Sequence, residues 1–123
     1  MKKIAALFGA IVILGFAGCA QTPEQAVEQG DRFSFTSALT PYPAAICIGR
    51  NAKARGGGVS AEERLLDASD MEVVVRDSPG TRGDTLAVAQ IRRGNPLSAV
   101  TVSVSRSMRG DRGAFARQLM SGC

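Results

Sequence analysis

The sequence contains no histidine and no tryptophan among its 123 residues, and Lys53 is the only lysine after position 18. Histidine is the commonest general base and a frequent metal ligand, so its absence excludes Ser-His triads and histidine metal sites. No G-x-S-x-G motif occurs. A serine–lysine pair would have to use Lys53, which the local pattern places on the solvent face of a helix. We therefore expect no enzymatic activity, no cofactor and no metal.

The longest apolar run of the chain lies at its beginning. Ile4 to Ala17 is a run of 14 apolar, uncharged residues that follows Lys2 and Lys3. A transmembrane helix needs about 20 residues to cross a hydrocarbon core of about 30 Å, so this run is short for a span. A basic start, a short apolar region and small residues at a cleavage point are typical of a secretory signal peptide, which we assign to residues 1–18. The alternative is a short anchor that is never cleaved.

The end of this run, Phe16-Ala17-Gly18-Cys19, resembles a lipobox, with Phe16 in place of the usual leucine. The resemblance to bacterial secretory lipoproteins implies that Cys19 becomes the first mature residue and carries a diacylglycerol thioether and an N-acyl chain such as palmitate. Several acyl chains suit an anchor, because one chain binds a membrane only weakly. Ala20 follows, where aspartate would be the inner-membrane signal. The sorting rule of that class implies the outer membrane, facing the periplasm.

Cleavage leaves 105 residues, enough for one domain, and two further cysteines, Cys47 and Cys123. Exported proteins meet oxidising conditions in which disulfides form and persist. We predict a disulfide between Cys47 and Cys123. The alternative is that Cys123 pairs between molecules or stays free.

Residues 19–39 predict a lipidated tether, because their first half is polar and has few bulky apolar groups. Within it, Arg32–Thr36 alternates with Phe33 and Phe35 on one side, which indicates a short edge strand. Residues 40–123 are assigned to a small α+β domain.

That domain is predicted to begin with a helix near Thr40, where prolines suit the first turn. Ala44, Cys47 and Ile48 fall at i, i+3 and i+4, and the glycines at 56–58 end the helix.

The middle of the domain has the period of β-strands. Residues 59–69 fit either a helical turn or a strand, and we favour a strand that pairs with the next. Apolar residues alternate over Met71–Val75 and over Ser98–Ser105, and Thr85–Ile91 is a third apolar segment. The cleanest alternation, Ser98–Ser105, predicts one buried and one wet face. Short turns between these segments predict an antiparallel meander.

A second helix is predicted at the end, capped by Asp111, with Phe115, Leu119 and Cys123 at i, i+4 and i+8. The predicted fold is an α+β two-layer sandwich. An antiparallel meander of three to four strands carries an N-terminal and a C-terminal helix on one face, and the stripes bearing Cys47 and Cys123 face each other.

Two sets of charged residues remain as candidate sites. Asp67, Asp70 and Glu72 lie among polar turn residues, whereas a catalytic acid needs an apolar surrounding that raises its pKa. Five arginines lie around the two ends of the last strand, where guanidinium groups suit phosphate or carboxylate; they are Arg92, Arg93, Arg106, Arg109 and Arg112.

The leading expectation is a non-catalytic, lipid-anchored envelope protein that binds another envelope protein. The alternative is an anion-binding module for a lipid head group or glycan, which would use the arginines. Neither function involves nucleic acid as a partner, since no aromatic side chains that could stack on bases accompany the arginines.

Replacing Cys19 by Ser should abolish acylation and release the protein from membranes, because the thiol is the atom that carries the thioether. Membrane fractionation and gel mobility of the full chain measure this. A Cys19→Ser protein that stays with the membrane at unchanged mobility would favour the uncleaved anchor. Recovery of the native protein in the inner-membrane fraction would contradict the outer-membrane assignment.

Overall fold

A computed structural model of the chain describes residues 21–79 and 83–123. The signal peptide, the lipobox and Cys19 lie outside the described residues. Within them the chain forms three helices and five strands: α1 Pro23–Gln29, β1 Asp31–Ser37, α2 Pro41–Lys53, β2 Ser60–Leu65, β3 Met71–Arg76, β4 Thr85–Arg93, β5 Ser98–Val104 and α3 Arg112–Leu119.

The strands form one antiparallel sheet in the order β1-β5-β4-β3-β2. Strands β2 to β5 are the meander that the sequence predicts, and residues 60–65 are the strand that we favoured over a helical turn. The α+β class is therefore confirmed. The number of strands is five instead of three to four, because β1 also joins the sheet and pairs with β5 from Asp31↔Val104 to Ser37↔Ser98.

Alternate strand residues point to a first face, which α2 and α3 cover. Val73, Ala89 and Val102 lie side by side on neighbouring strands of this face and are fully buried. Complete burial of one valine side chain contributes about 1.5–3 kcal/mol. The helices bring the remaining apolar groups of the same core, among them Ala44, Ala45, Ile48, Phe115 and Leu119.

The second face is partly covered as well, which corrects the two-layer prediction. Helix α1 packs there against β4 and β5, and its Ala26 is fully buried together with Val74 and Val88. Ser103 is buried too, so the wet face predicted for β5 is wrong at this point. The physical reason is that α1 buries mainly one small side chain, which gives no apolar stripe in the sequence.

The edge strand predicted at Arg32–Thr36 is confirmed, as part of β1, and the residues directly before it form helix α1. A capping box starts α1: the hydroxyl of Thr22 accepts from the N–H of Gln25, and the Gln25 side chain accepts from the N–H of Thr22. Gly30 then allows a tight passage into β1, since a Cβ there would collide with the carbonyl oxygens of Ala26 and Val104.

Helix α2 matches its prediction at both ends. It begins at Pro41 and ends at Lys53, and Gly56, Gly57 and Gly58 follow with φ of 76°, 66° and 85°. Side chains rarely adopt positive φ, so three glycines in a row are what lets the chain leave the helix and turn into β2.

Helix α3 is shorter than predicted. It ends at Leu119, so the prediction that Cys123 lies on its apolar stripe is wrong. The chain turns instead at Gly122, with φ of 74°, and the amide of Asn51 holds the turn by donating to the Leu119 carbonyl at 2.8 Å. The predicted pairing is nevertheless confirmed, because the sulfur atoms of Cys47 and Cys123 lie at bonding distance and their Cα atoms are 5.8 Å apart.

We expect Cys47→Ser and Cys123→Ser each to lower the free energy of unfolding by about 2–5 kcal/mol, because the bridge closes a long loop of the unfolded chain. The double variant should cost little more than either single one, since each single replacement already removes the whole bond. Denaturant unfolding of the four proteins measures both statements. Additive losses would show that the two thiols act separately.

Candidate functional site

The sheet has two different ends, and the chain joins it at one of them. The N–H of Thr85 donates to the Gln21 carbonyl at 3.1 Å, and the N–H of Gln21 donates to the carboxylate of Asp84. Because Cys19 precedes Gln21 by two residues, we call this the anchor end. It also carries Ser105, whose N–H donates to the Leu86 carbonyl at 2.8 Å.

The opposite end carries exposed apolar side chains, and we call Tyr42, Leu65, Leu66 and Leu97 the apolar end. Tyr42 is 62% exposed and Leu65 is 69% exposed, and Leu66 and Leu97 are also exposed. The fold brings them to the same end because β2 finishes there, β5 starts there and α2 starts directly after β1. The nine residues of β4 separate the two ends by about 27 Å.

A cavity of about 210 Å³ opens at the apolar end. Its lining includes the exposed Tyr42 and Leu65, the buried Met71 at 4% exposure, and the positively charged Arg93. One helical turn after Tyr42, the exposed Ile46 extends the apolar surface along α2. Exposed apolar residues are normal when they are isolated, whereas a contiguous group marks a surface that binds another molecule.

The five arginines of the predicted patch do not form one site. Arg92 and Arg93 end β4 at the apolar end, whereas Arg106, Arg109 and Arg112 follow β5 at the anchor end. The register Arg93↔Ser98 and Ala87↔Val104 shows that the length of β5 separates them, which is about 20 Å. The prediction of a single arginine patch is therefore wrong in its geometry, because the two ends of one strand cannot share a ligand of that size.

Two of these arginines are also held by carboxylates. Nε of Arg92 lies 3.7 Å from the carboxylate of Asp70. Nη1 of Arg112 lies 3.2 Å from that of Asp31, and Nη2 of Arg112 donates to the Arg106 carbonyl at 2.8 Å. The contacts of Arg112 connect the loop after β5 to β1, and both ion pairs reduce the positive charge that is available to an anion.

The acidic residues have structural partners. The carboxylate of Asp67 accepts from the N–H groups of Ser69 and Asp70 at 3.0 and 3.1 Å, and these bonds lower the pKa of Asp67 below its ordinary value. A general acid needs the opposite shift. Glu72 points to the second face, where Arg64 donates to it at 2.7 Å. The three carboxylates thus serve a turn and a cross-strand ion pair.

A second cross-strand pair stabilises the same sheet edge. Nη1 of Arg76, which is 6% exposed, lies 2.8 Å from the carboxylate of Glu62. A charge buried this deeply requires a partner, and the antiparallel register of β2 and β3 supplies one. Within residues 21–79 and 83–123, no group of three or more metal-ligating side chains is placed to hold an ion.

Comparison with known proteins gives no relative from which a function could be transferred. No family model, no curated protein and no solved structure matches this chain. In the part of the chain that the structure describes, no helix is long and apolar enough to cross a membrane.

Sequence reasoning missed the apolar end, because its members are far apart in the sequence and each is isolated in its own segment. A signal for them does exist. Leu65 and Leu66 directly precede the turn residue Asp67, and Leu97 directly follows Pro96. Turns are normally polar, so bulky apolar residues beside them indicate side chains with no place in the core.

The side chains of the apolar end should contribute little to stability. Leu65→Ala should change the free energy of unfolding by less than about 0.5 kcal/mol, because the side chain is already in water. The matched change Leu119→Ala removes a fully buried side chain and should cost about 2–5 kcal/mol. Thermal or denaturant unfolding compares the two variants. Equal losses would show that Leu65 belongs to the core.

Proposed function

We propose that this protein is a non-catalytic, lipid-anchored envelope protein that binds another envelope protein through its apolar end. The observation that carries the proposal is the exposure of Tyr42, Leu65, Leu66 and Leu97 at one end of the sheet. The proposed location is the periplasmic face of the outer membrane, with the lipid on Cys19 as the anchor.

The composition of the apolar end suits a protein interface. Tyrosine is enriched among the residues that dominate binding energy, because its large ring is buried at a small cost in conformational entropy. Leu65 and Tyr42 flank the same cavity, so a single apolar side chain of a partner would contact both of them. Arg92 and Arg93 border this surface, which favours a partner with acidic residues around an apolar centre.

The position of the anchor leaves this surface accessible. The chain from Cys19 joins the sheet at Gln21, about 27 Å from the apolar end along β4. A domain that is tethered at one end can hold its opposite end away from the bilayer. The anchor then concentrates the protein near partners in the same membrane.

The anion-binding alternative is less well supported. It depended on one patch of five arginines, and these divide between the two ends of the sheet, where Asp70 and Asp31 engage two of them. Arg93 is the arginine that still borders a cavity. An arginine–anion contact weakens steeply with salt, whereas an apolar interface does not, so the two functions have different ionic-strength dependence.

A photo-crosslinking residue placed at Leu65 or at Leu97 of the full chain in cells should give a covalent adduct with a second protein. The matched position is Arg109, which is exposed at the anchor end and should give none. Tyr42→Lys should remove the adduct at Leu65, because a charge would have to be buried in the interface. Gel mobility and mass spectrometry of the adducts provide the measurement.

The salt dependence of the same adducts separates the two functions. Adducts that persist at high ionic strength support an apolar protein interface. Equal adducts at Arg109 and Leu65, or binding that disappears with salt and with Arg93→Gln, would contradict the proposal.

A further inference from the structure

Strand β1 forms an outer edge of the sheet, and its backbone has free hydrogen-bonding groups. Strand β1 pairs with β5 along its inner side. Among the described residues it makes one further backbone hydrogen bond, in which the N–H of Leu97 donates to the carbonyl of Ser37. The outward-facing N–H and C=O groups of the strand between Asp31 and Ser37 therefore have no protein partner there. An edge of this kind is a template for one more strand.

This edge has few of the features that usually protect an edge strand, since its two charged residues, Asp31 and Arg32, are confined to its first end. Its sequence, DRFSFTS, contains no proline and no lysine, and its register with β5 runs over seven residues without a bulge. The other edge, β2, is different. It carries Glu62, Glu63 and Arg64 in succession, and α2 packs against it.

We propose that β1 pairs with β1 of a second copy of this chain, in an antiparallel register centred on Ser34, to form a continuous ten-stranded sheet. The proposal does not depend on the partner of the apolar end. A two-fold axis through Ser34 makes the contact self-complementary, as in most homodimers.

The aromatic side chains of β1 match in this register. Phe33 lies opposite Phe35 of the second copy, and the reverse pair repeats on the other side of the axis. Both phenylalanines are half-buried and pack against the core, so they are already ordered before binding. Aromatic pairs across neighbouring strands are among the most stabilising in sheets.

A cavity lies beside this edge, where side chains of the second copy would pack. It has a volume of about 520 Å³ and is lined by Phe35 and by the turn after α3, through Met120 and Cys123. The residue of the second copy that lies opposite Phe35 is Phe33. The cavity therefore adjoins the place where an apolar ring would be added.

The charges of the strand are compatible with self-pairing. Arg32 lies opposite Thr36 of the second copy, and Asp31 lies opposite Ser37, so no two like charges face each other. A two-fold pairing of β2 centred on Glu62 or on Glu63 would place that glutamate opposite its own copy, which is unfavourable. The distribution of charge therefore favours β1 over β2 as the edge that pairs with a second copy.

The two-fold axis also determines where the two α1 helices lie. The axis of an antiparallel edge-to-edge pair is perpendicular to the sheet, so the same face of both sheets points the same way. Helix α1 lies on the second face, and Gln21 is two residues from Cys19. The two α1 helices therefore lie on the same side of the dimer.

Cysteine scanning of β1 in the full chain tests the register. Two differently tagged copies are expressed together in cells, each with Ser34→Cys or each with Thr36→Cys, and both positions are exposed. Opposed residues have Cα atoms about 4.5–5.5 Å apart, within the range of a disulfide. The two copies of position 36 would be about 14 Å apart, beyond that range.

We expect a covalent dimer with both tags from Ser34→Cys and its loss in Thr36→Cys. Combining Arg32→Cys with Thr36→Cys should restore it, because these positions are opposed. No dimer from Ser34→Cys, or an equal dimer from Thr36→Cys alone, would overturn the proposal. An adduct of Ser34→Cys with a different protein would also overturn it, by showing that this edge accepts a foreign strand.

A charge at the axis provides the second test, without a new cysteine. Ser34→Lys places two lysines opposite each other and should reduce the mass of the detergent-solubilised full chain to that of one protomer. Leu65→Lys is the matched control on the other edge and should leave the dimer intact while it removes the adducts of the apolar end. A Ser34→Lys protein that keeps the mass of a dimer would overturn the proposal.

Discussion

The structure depends on the burial of β5 against both of its neighbouring strands and beneath the helices. Val100, Val102 and Val104 pack on the first face with exposures of 1% or less, and β5 is the strand to which β1 and β4 both pair. Removal of this strand would separate β1 from the rest of the sheet. The disulfide between Cys47 and Cys123 adds a covalent constraint above the same core, where it joins α2 to the turn after α3.

That core determines which surfaces are left for function. Because α2 and α3 cover one face and α1 covers part of the other, the exposed features are the two ends of the sheet and its two edges. Each of these has a distinct chemistry. The anchor end receives the chain, the apolar end exposes large apolar side chains, β2 carries charges, and β1 carries free backbone groups.

The elements that were predicted correctly have strong local signals. The alternation of Ser98–Ser105 and the three glycines after α2 report the conformation of the residues that carry them, so no distant contact is needed to interpret them. The pairing of Cys47 with Cys123 was also predicted from the sequence, because the predicted export would expose these two thiols to oxidising conditions, and they can form one intramolecular bond. Helix α1 had a weaker signal: its capping box marks a helix start, but the helix is seven residues long and buries Ala26 alone, so its docking on the sheet is needed to stabilise it.

The sequence by itself determined the α+β class and the pairing of Cys47 with Cys123, and it predicts an export signal and lipid attachment at Cys19. The tertiary structure decided which residues share a surface. It divided the arginines between two ends of the sheet, brought Tyr42 next to Leu65, and left β1 at an open edge. The reason is physical: periodicity reports how a segment buries its own side chains, whereas a shared surface depends on strand order, which is set by contacts between residues far apart in the chain.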